Sequence, residues 1–582
     1  VSTLRILLVS LAFCAVAGAQ PAAGIMPLGD VRAGMRATGR TVFAGGQVEE
    51  FQVEVLGVME NVGPRQSIIL AKLSGGPLGH TGVMQGMSGS PVYYEGKLLG
   101  AVALSFPFSK DPIAGIRPAE EMMASGPGPG RQQARLEAEQ VLDPRRALPA
   151  RQEVTLGPQK LAEVATPFWM TGISQRALDY FAPSLRAAGF EPVQGVSGGG
   201  RPSQQAGARV RPGEMISVQL VTGDMSVGAD GTVTHVDGDR VWAFGHRFLS
   251  LGDAEMPFTR SEVLTLLASN QISFKISSPK EWVGSITQDR SAAISGVVGR
   301  KPRMLPLKIR VNGRTGVPVE QTYRMEMVQD RLMTPLLLQM AVFSAVEATE
   351  RSAGLASIAM RGEVRLQGGA PVRLENLYAA ELGAPQMVSA GAAAPVAMLM
   401  QSGFDETRIE SVDIQLDVVN EQRQMQLDSV WASRREVRPG ETVEITAVFK
   451  GDGNSELTRR ASYLVPEGAL EGPLYFTVSD ALTSNISEYR QFLTTPPRDR
   501  QQLLEFLNGV RPNTKAFVRV WRPEKPSWQV QGEILPQPPP SAALVLSKGQ
   551  AQTPGAKVAE LELASGDFVF AGSKTLQVVV KE

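Results

Sequence analysis

Gly86-Met87-Ser88-Gly89-Ser90-Pro91-Val92 frames one serine with glycines and sits between two apolar runs. Glycine on either side lets the backbone turn sharply, so a hydroxyl projects while nearby N–H groups converge on one point. Such a serine suits acyl transfer; the plain alternative is a Gly/Ser-rich β-turn without chemistry. A serine nucleophile needs a base, and the sequence holds three histidines: His80, His235 and His246. His246 follows an apolar strand and Gly245 and precedes Arg247-Phe248-Leu249, a strand-end position from which a rigid scaffold can aim a side chain into a cleft. His235 lies inside the preceding hairpin strand and reads as a surface or packing residue. His80, in the Gly-Pro-rich stretch before Ser88, reads as a loop residue. Ser88 and His246 are 158 residues apart, so only the fold can bring them within the roughly 2.6–3.2 Å that proton transfer needs.

Other chemistries find little support. The one cysteine, Cys14, lies in the N-terminal apolar run, so a chain cleaved beyond it has no thiol for disulfides, thiolate metal sites or nucleophilic attack. No zinc-type His/Cys set or Asp-rich calcium loop is present. Gly198-Gly199-Gly200 lacks the lysine and helix start of a phosphate loop. No metal and no cofactor is expected. Lys+Arg 58 against Asp+Glu 58 gives no global basic field, which excludes non-specific nucleic-acid binding.

The elements that must position Ser88 and His246 read as β. The 582 residues exceed one compact core. Gly 59 and Pro 40 favour strands joined by tight turns, and 43% apolar residues suffice for several cores. Phe51, Val53 and Val55 alternate with polar neighbours, and Ile68-Ile69-Leu70 and Leu98 to Leu104 are strand-length apolar runs. They place a half-barrel carrying the nucleophile at 26–123. A linker region follows at 124–213, with Gly/Pro-rich breaks at its start and near Gly195 to Gly207. Thr232 to Val236 and Arg240 to Phe244, joined by Asp237-Gly238-Asp239, spell a hairpin within a second half-barrel at 214–330. A connecting region at 331–423 holds a capped amphipathic helix from Thr334-Pro335 and an Ala-rich helix around Pro395 to Met400. From 424 to 582 the alternation Val443, Ile445, Ala447, Phe449, a helix near Arg498 to Leu507 closed by Asn508-Gly509, and a strand at Leu576 to Val580 indicate β-sandwich-like modules.

Residues 1–19 have the order of a signal peptide: Arg5, an apolar run from Ile6 to Val16, then Ala17-Gly18-Ala19. Cleavage is expected after Ala19, giving an exported, periplasmic or extracellular chain without a transmembrane anchor.

Gly86-Met87-Ser88-Gly89-Ser90-Pro91, the following Gly96-Lys97-Leu98-Leu99-Gly100-Ala101, Phe51 to Val58 before it and Pro107 to Ile116 after it resemble the SpoIVB family of serine peptidases. Gly231-Thr232-Val233-Thr234, Ala243-Phe244-Gly245-His246 and Gly284 to Arg290 resemble the family's histidine segment. The resemblance implies a trypsin-like double β-barrel peptidase core followed by β-sandwich-like modules with a few helices, mainly β overall. It implies that Ser88 attacks the scissile carbonyl and His246 takes its proton, with the Gly86 and Ser88 N–H groups as oxyanion hole. In the sporulation peptidase that names the family the histidine segment comes first, behind a PDZ domain; here the halves are permuted and no PDZ signature is seen. Leu73-Ser74-Gly75-Gly76-Pro77 also lacks the family's aspartate. Asp224 and Asp253 are the candidates for the third triad position, and a Ser-His dyad oriented by a backbone carbonyl is the other arrangement. The expected function is an exported serine endopeptidase acting on a protein or peptide substrate or on its own linker, with the C-terminal β modules engaging substrate or a protein partner. The alternative is a non-catalytic scaffold or binding protein that keeps the peptidase fold.

Overall fold

The computed structural model describes residues 24–582 except 108, 125–137, 157–158, 196–207, 314–318, 350–355, 382, 405–406, 495–496, 524–526, 531–532, 536–538, 540, 543–551 and 554–555. The N-terminal segment read as a signal peptide, with Cys14, the first Gly/Pro break and Gly198-Gly199-Gly200 lie outside the described residues.

Six strands form the first lobe: β1 (Arg36–Val42), β2 (Val48–Gly63), β3 (Gln66–Ser74), β4 (Pro91–Tyr94), β5 (Lys97–Ser105) and β6 (Ile113–Pro118). They pair in the order β4-β1-β2-β3-β6-β5, and β5 returns to β4, so this antiparallel sheet closes on itself. The period-two alternation of β2 turns Phe51, Val53 and Val55 inward, where they meet Ile69, Ala71, Leu99, Val102 and Ile116. Two further strands, β7 (Glu153–Leu156) and β8 (Gln159–Glu163), extend the sheet beyond β5.

The next strands are β9 (Thr166–Thr171), β10 (Phe190–Gln194), β11 (Met215–Gly223), β12 (Ser226–Asp237), β13 (Arg240–Ala243), β14 (Gly252–Leu267), β15 (Phe274–Asp289) and β16 (Ile294–Val298). Strands β12-β13-β16-β15-β14-β11 form a second antiparallel ring, closed by the β11–β12 pairing. The protein is therefore mainly β, with two six-stranded barrels in tandem. The expected hairpin is present: Asp237 pairs with Arg240 across a turn in which Gly238 takes φ +59°. A bulge falls between Val233 and His235, leaving Thr234 as the extra residue.

The sheet of the second barrel runs on from β11 into β18 (Val319–Val328) and β17 (Met304–Gly313), then strands 409–419, 356–366 and 372–380. Helices Met333–Thr349 and Ala384–Gln401 pack into the same core. The helix read as amphipathic is buried on all sides, with Leu336, Leu337, Leu338, Met340, Val342 and Phe343 inside, because it lies between the sheet and the second helix. Beyond 424, a four-stranded and a five-stranded sheet share one core that includes Ile445, Phe449, Phe476, Val518 and Val578, the sandwich expected from the alternation. No described helix is long and apolar enough to cross a membrane.

The barrels meet at Gly89. An ideal Cβ on Gly89 would stand 2.1 Å from the Thr232 carbonyl oxygen and 2.5 Å from the Phe244 nitrogen, and its φ is +90°. Gly89→Ala is expected to cost at least about 2 kcal/mol of stability, through backbone strain and forced separation of the barrels. Gly96→Ala, at φ +79° with open space around its Cβ, should cost only the strain, about 1 kcal/mol. Urea midpoints of the two variants check the difference.

Candidate active site

Ser88 sits in a loop bounded by two turns, in which the Met87 N–H donates to the Met84 carbonyl (3.2 Å) and the Ser90 N–H to the Met87 carbonyl (2.9 Å). The glycines are needed here, since Gly86 takes φ +88° and Gly89 +90°. The second barrel grips this loop at three points along β12. The Thr232 N–H donates to the Ser88 carbonyl (2.8 Å), the Thr232 hydroxyl to the Gly86 carbonyl (2.9 Å), and the Thr234 hydroxyl to the Gly89 carbonyl (2.7 Å). From the other side, the Gly89 N–H donates to the Val102 carbonyl of β5 (2.8 Å). Among the described residues neither the Gly86 nor the Ser88 N–H meets an acceptor, so the two expected oxyanion donors are unspent.

His246 follows β13, which pairs with β12, and Phe244, two residues before it, lies against the Ser88 loop at Gly89. Its approach is strained: Phe244 takes φ +71° and Gly245 +68°, a conformation worth about 1–3 kcal/mol for a non-glycine residue. The Phe244 ring is fully buried against Gly231, where any Cβ would meet it at 2.3 Å. Gly245 packs on β5, with room for a Cβ only 3.0 Å from the Val102 carbonyl. The same carbonyl thus touches the serine loop and the histidine turn.

The imidazole Nδ1 lies 2.7 Å from the Arg247 carbonyl. That bond makes Nδ1 the protonated nitrogen and leaves Nε2 with its lone pair, the tautomer a general base requires. Nε2 and the Ser88 hydroxyl are both buried and neither has a hydrogen-bond partner. The structure thus brings the two segments together without joining them, and it buries both side chains, with Ser88 0% and His246 3% exposed. Burial above all, and then the guanidiniums of Arg151, Arg117 and Arg247, push the imidazole down to about 4, so it is neutral at pH 7.

Neither proposed aspartate stands behind the ring. Asp224 accepts the Arg324 N–H (2.7 Å). Asp253 is a 72% exposed carboxylate that takes the Gln288 amide (2.7 Å) and pairs with Arg290. Both are engaged at strand ends elsewhere, which sequence distance to His246 could not reveal. His235 packs 5.6 Å from Trp242, and His80 is an exposed residue of the one-turn helix Leu78–Thr81.

Two buried groups escaped the sequence reading. Asp289 accepts three N–H bonds, from Phe248 (2.8 Å), Leu249 (2.7 Å) and Leu251 (3.0 Å), and so pins the turn that follows His246. Burial pushes its carboxyl up to about 6 against those bonds. Lys275 lies under Gly86 and donates to the Thr41 hydroxyl (2.7 Å), which also accepts from Ser90 (3.0 Å). Burial brings its amine down to about 7, opposed by Asp230 and Glu49. Both stand in strand patterns where a single charge reads as solvent-facing; only the inward direction of β15 marks them.

Residues 22–123 match the family model described as SpoIVB peptidase S55. The match covers the first barrel and Ser88; His246 lies outside it. No curated protein and no solved structure matches the chain.

Asp289→Asn should lower kcat/KM of any peptidase activity by roughly 10²-fold, because an amide can satisfy fewer N–H donors and the His246 turn shifts. Asp224→Asn and Asp253→Asn should stay within about twofold. Steady-state kinetics on one peptide compares the three. The unfolded chain protonates His246 near its ordinary 6.5 while the folded protein resists to about 4, so folding stability should fall as pH drops through that window. The loss attributable to this ring is on the order of 3 kcal/mol, read as the difference between wild type and His246→Gln in denaturant titrations from pH 7 to pH 4.

Proposed function

We propose that this chain, whose first barrel matches the SpoIVB peptidase model, is an exported serine endopeptidase in which Ser88 and His246 act as a dyad. The observation that carries the reading is the threefold attachment of the Ser88 loop to β12, next to the hairpin that delivers His246. In the working state the Ser88 Oγ attacks the substrate carbonyl carbon and its proton passes to His246 Nε2. The tetrahedral oxyanion is held by the free Gly86 and Ser88 N–H groups. Collapse expels the amine, which takes the proton from the imidazolium, and water then hydrolyses the acyl-enzyme by the same route. The Arg247 carbonyl on Nδ1 orients the ring in place of a carboxylate.

The closed state described above lacks the Ser88–His246 hydrogen bond, so turnover requires the loop and the ring to close on each other and the site to open to substrate. That burial favours a second reading, a scaffold that keeps the peptidase fold without turnover. Export rests on the N-terminal residue order, and the C-terminal sandwich is proposed to present substrate or a protein partner.

A fluorophosphonate probe separates the two readings. Labelling of the folded protein at Ser88, lost in Ser88→Ala and reduced roughly 10⁴-fold in rate by His246→Ala, is the outcome expected of the dyad. A folded sample that takes no label is a scaffold.

A further inference from the structure

A cavity of about 500 Å³ opens between the segments 79–85, 105–107, 109–113 and 269–273, bordered by Gln85, Phe106, Lys110, Asp111, Arg151 and Val164, with Asp111 neutralised by Lys72 (2.9 Å). This volume is within the range of small-ligand sites. Gln85 begins the run that leads to Ser88, and its backbone is fixed by strand-like bonds to Ser273 and Lys275. Its side chain is 3% exposed, yet both amide atoms lack a partner. A buried amide with neither atom satisfied costs about 1–3 kcal/mol for each group left unpaired, a cost that a ligand would relieve.

Arg151 supplies the charge. Its Nη2 donates to the Glu163 carbonyl, while its Nε is buried with no acceptor. The Glu163 carboxylate lies 3.8 Å from Arg247, the residue after His246. Arg117 is 2% exposed, with Nε unpartnered and Nη1 3.5 Å from Glu121. Three guanidiniums therefore surround His246 with two carboxylates, Glu121 and Glu163, among them. Glu153 and Glu191, which also act on Arg151, are held by Lys160 (2.7 Å) and Arg186 (2.9 Å). The interior beside the imidazole holds more guanidiniums than carboxylates, and among the described residues no carboxylate bonds the ring to offset them.

We infer that the cavity bordered by Gln85 and Arg151 is a substrate subsite for an acidic side chain, glutamate or aspartate, near the scissile bond. The carboxylate would accept from Arg151 Nε and Gln85 Nε2, both otherwise unspent, in charge-assisted bonds that a neutral side chain cannot match. Its charge offsets the field of the three arginines on His246, making the ring more basic when an acidic substrate is present. The substrate thus supplies the negative charge that an aspartate provides in a complete triad. This inference rests on the peptidase reading for its catalytic meaning, but the binding it requires is measurable without turnover.

The full-length Ser88→Ala protein, titrated calorimetrically with a blocked hexapeptide carrying a central glutamate, should bind at least tenfold more tightly than with the glutamine peptide. Arg151→Met should erase the preference. Gln85→Leu, which removes no internal hydrogen bond, should keep the fold and weaken glutamate binding severalfold. With three histidines in the chain, the His246 ring is identifiable by NMR through His246→Gln, and its titration should move to higher pH on binding the glutamate peptide alone. Equal affinity for the two peptides, a preference that survives Arg151→Met, or an unmoved ring overturns the subsite. Fluorophosphonate labelling without glutamate preference sinks this inference alone; glutamate preference without labelling sinks the peptidase reading alone.

Discussion

Everything at the site depends on the attachment of one five-residue loop to a strand of the other barrel. Thr232 and Thr234 donate three hydrogen bonds to the carbonyls of Gly86, Ser88 and Gly89. Those carbonyls are buried and would be costly to leave unpaired. The N–H groups on the same peptides, those of Met87, Gly89 and Ser90, are bonded as well, to Met84, Val102 and Met87, so the loop is fixed on both edges while the Gly86 and Ser88 N–H groups meet no acceptor among the described residues. Thr232 and Thr234, two residues apart on β12, present both hydroxyls to the loop, as alternate residues of a strand do.

The histidine is held by different means. Its turn runs through two left-handed residues, with Phe244 kept there by full burial of its ring on Gly231, and it is then tied down by the three N–H bonds into Asp289. A carboxylate therefore does serve His246, though through the backbone of the following turn and not through the ring. The ring's own surroundings are cationic and buried, which favours the neutral imidazole and disfavours the imidazolium that the proposed catalysis must form. Geometry and electrostatics agree: the imidazole is buried and neutral, and neither its Nε2 nor the buried Ser88 hydroxyl has a hydrogen-bond partner.

Much of the framework was legible from residue order. The alternation in Phe51, Val53 and Val55 and the turn at Asp237-Gly238-Asp239 led to the strands and hairpin observed, because period-two burial and a two-residue turn are local properties. The helix from Thr334 was legible as a helix and misread as amphipathic, since its second apolar face is explained only by packing against helix Ala384–Gln401. The third triad position failed for a related reason. Asp224 and Asp253 lie near His246 in sequence and bond elsewhere in space, whereas Asp289, forty residues on, returns along β15 to the same turn.

By itself the sequence determined which residue could be the nucleophile, which histidine stood at a strand end, and that the chain would build β barrels and a sandwich. These follow from side-chain chemistry, glycine's backbone freedom and short-range periodicity. Only the tertiary structure decided that two antiparallel sheets close separately, that they meet tightly at Gly89, and that Arg117, Arg151 and Arg247 converge on His246. Closure, contact and convergence join residues from distant parts of the chain, and their energies arise only once water has been expelled between them.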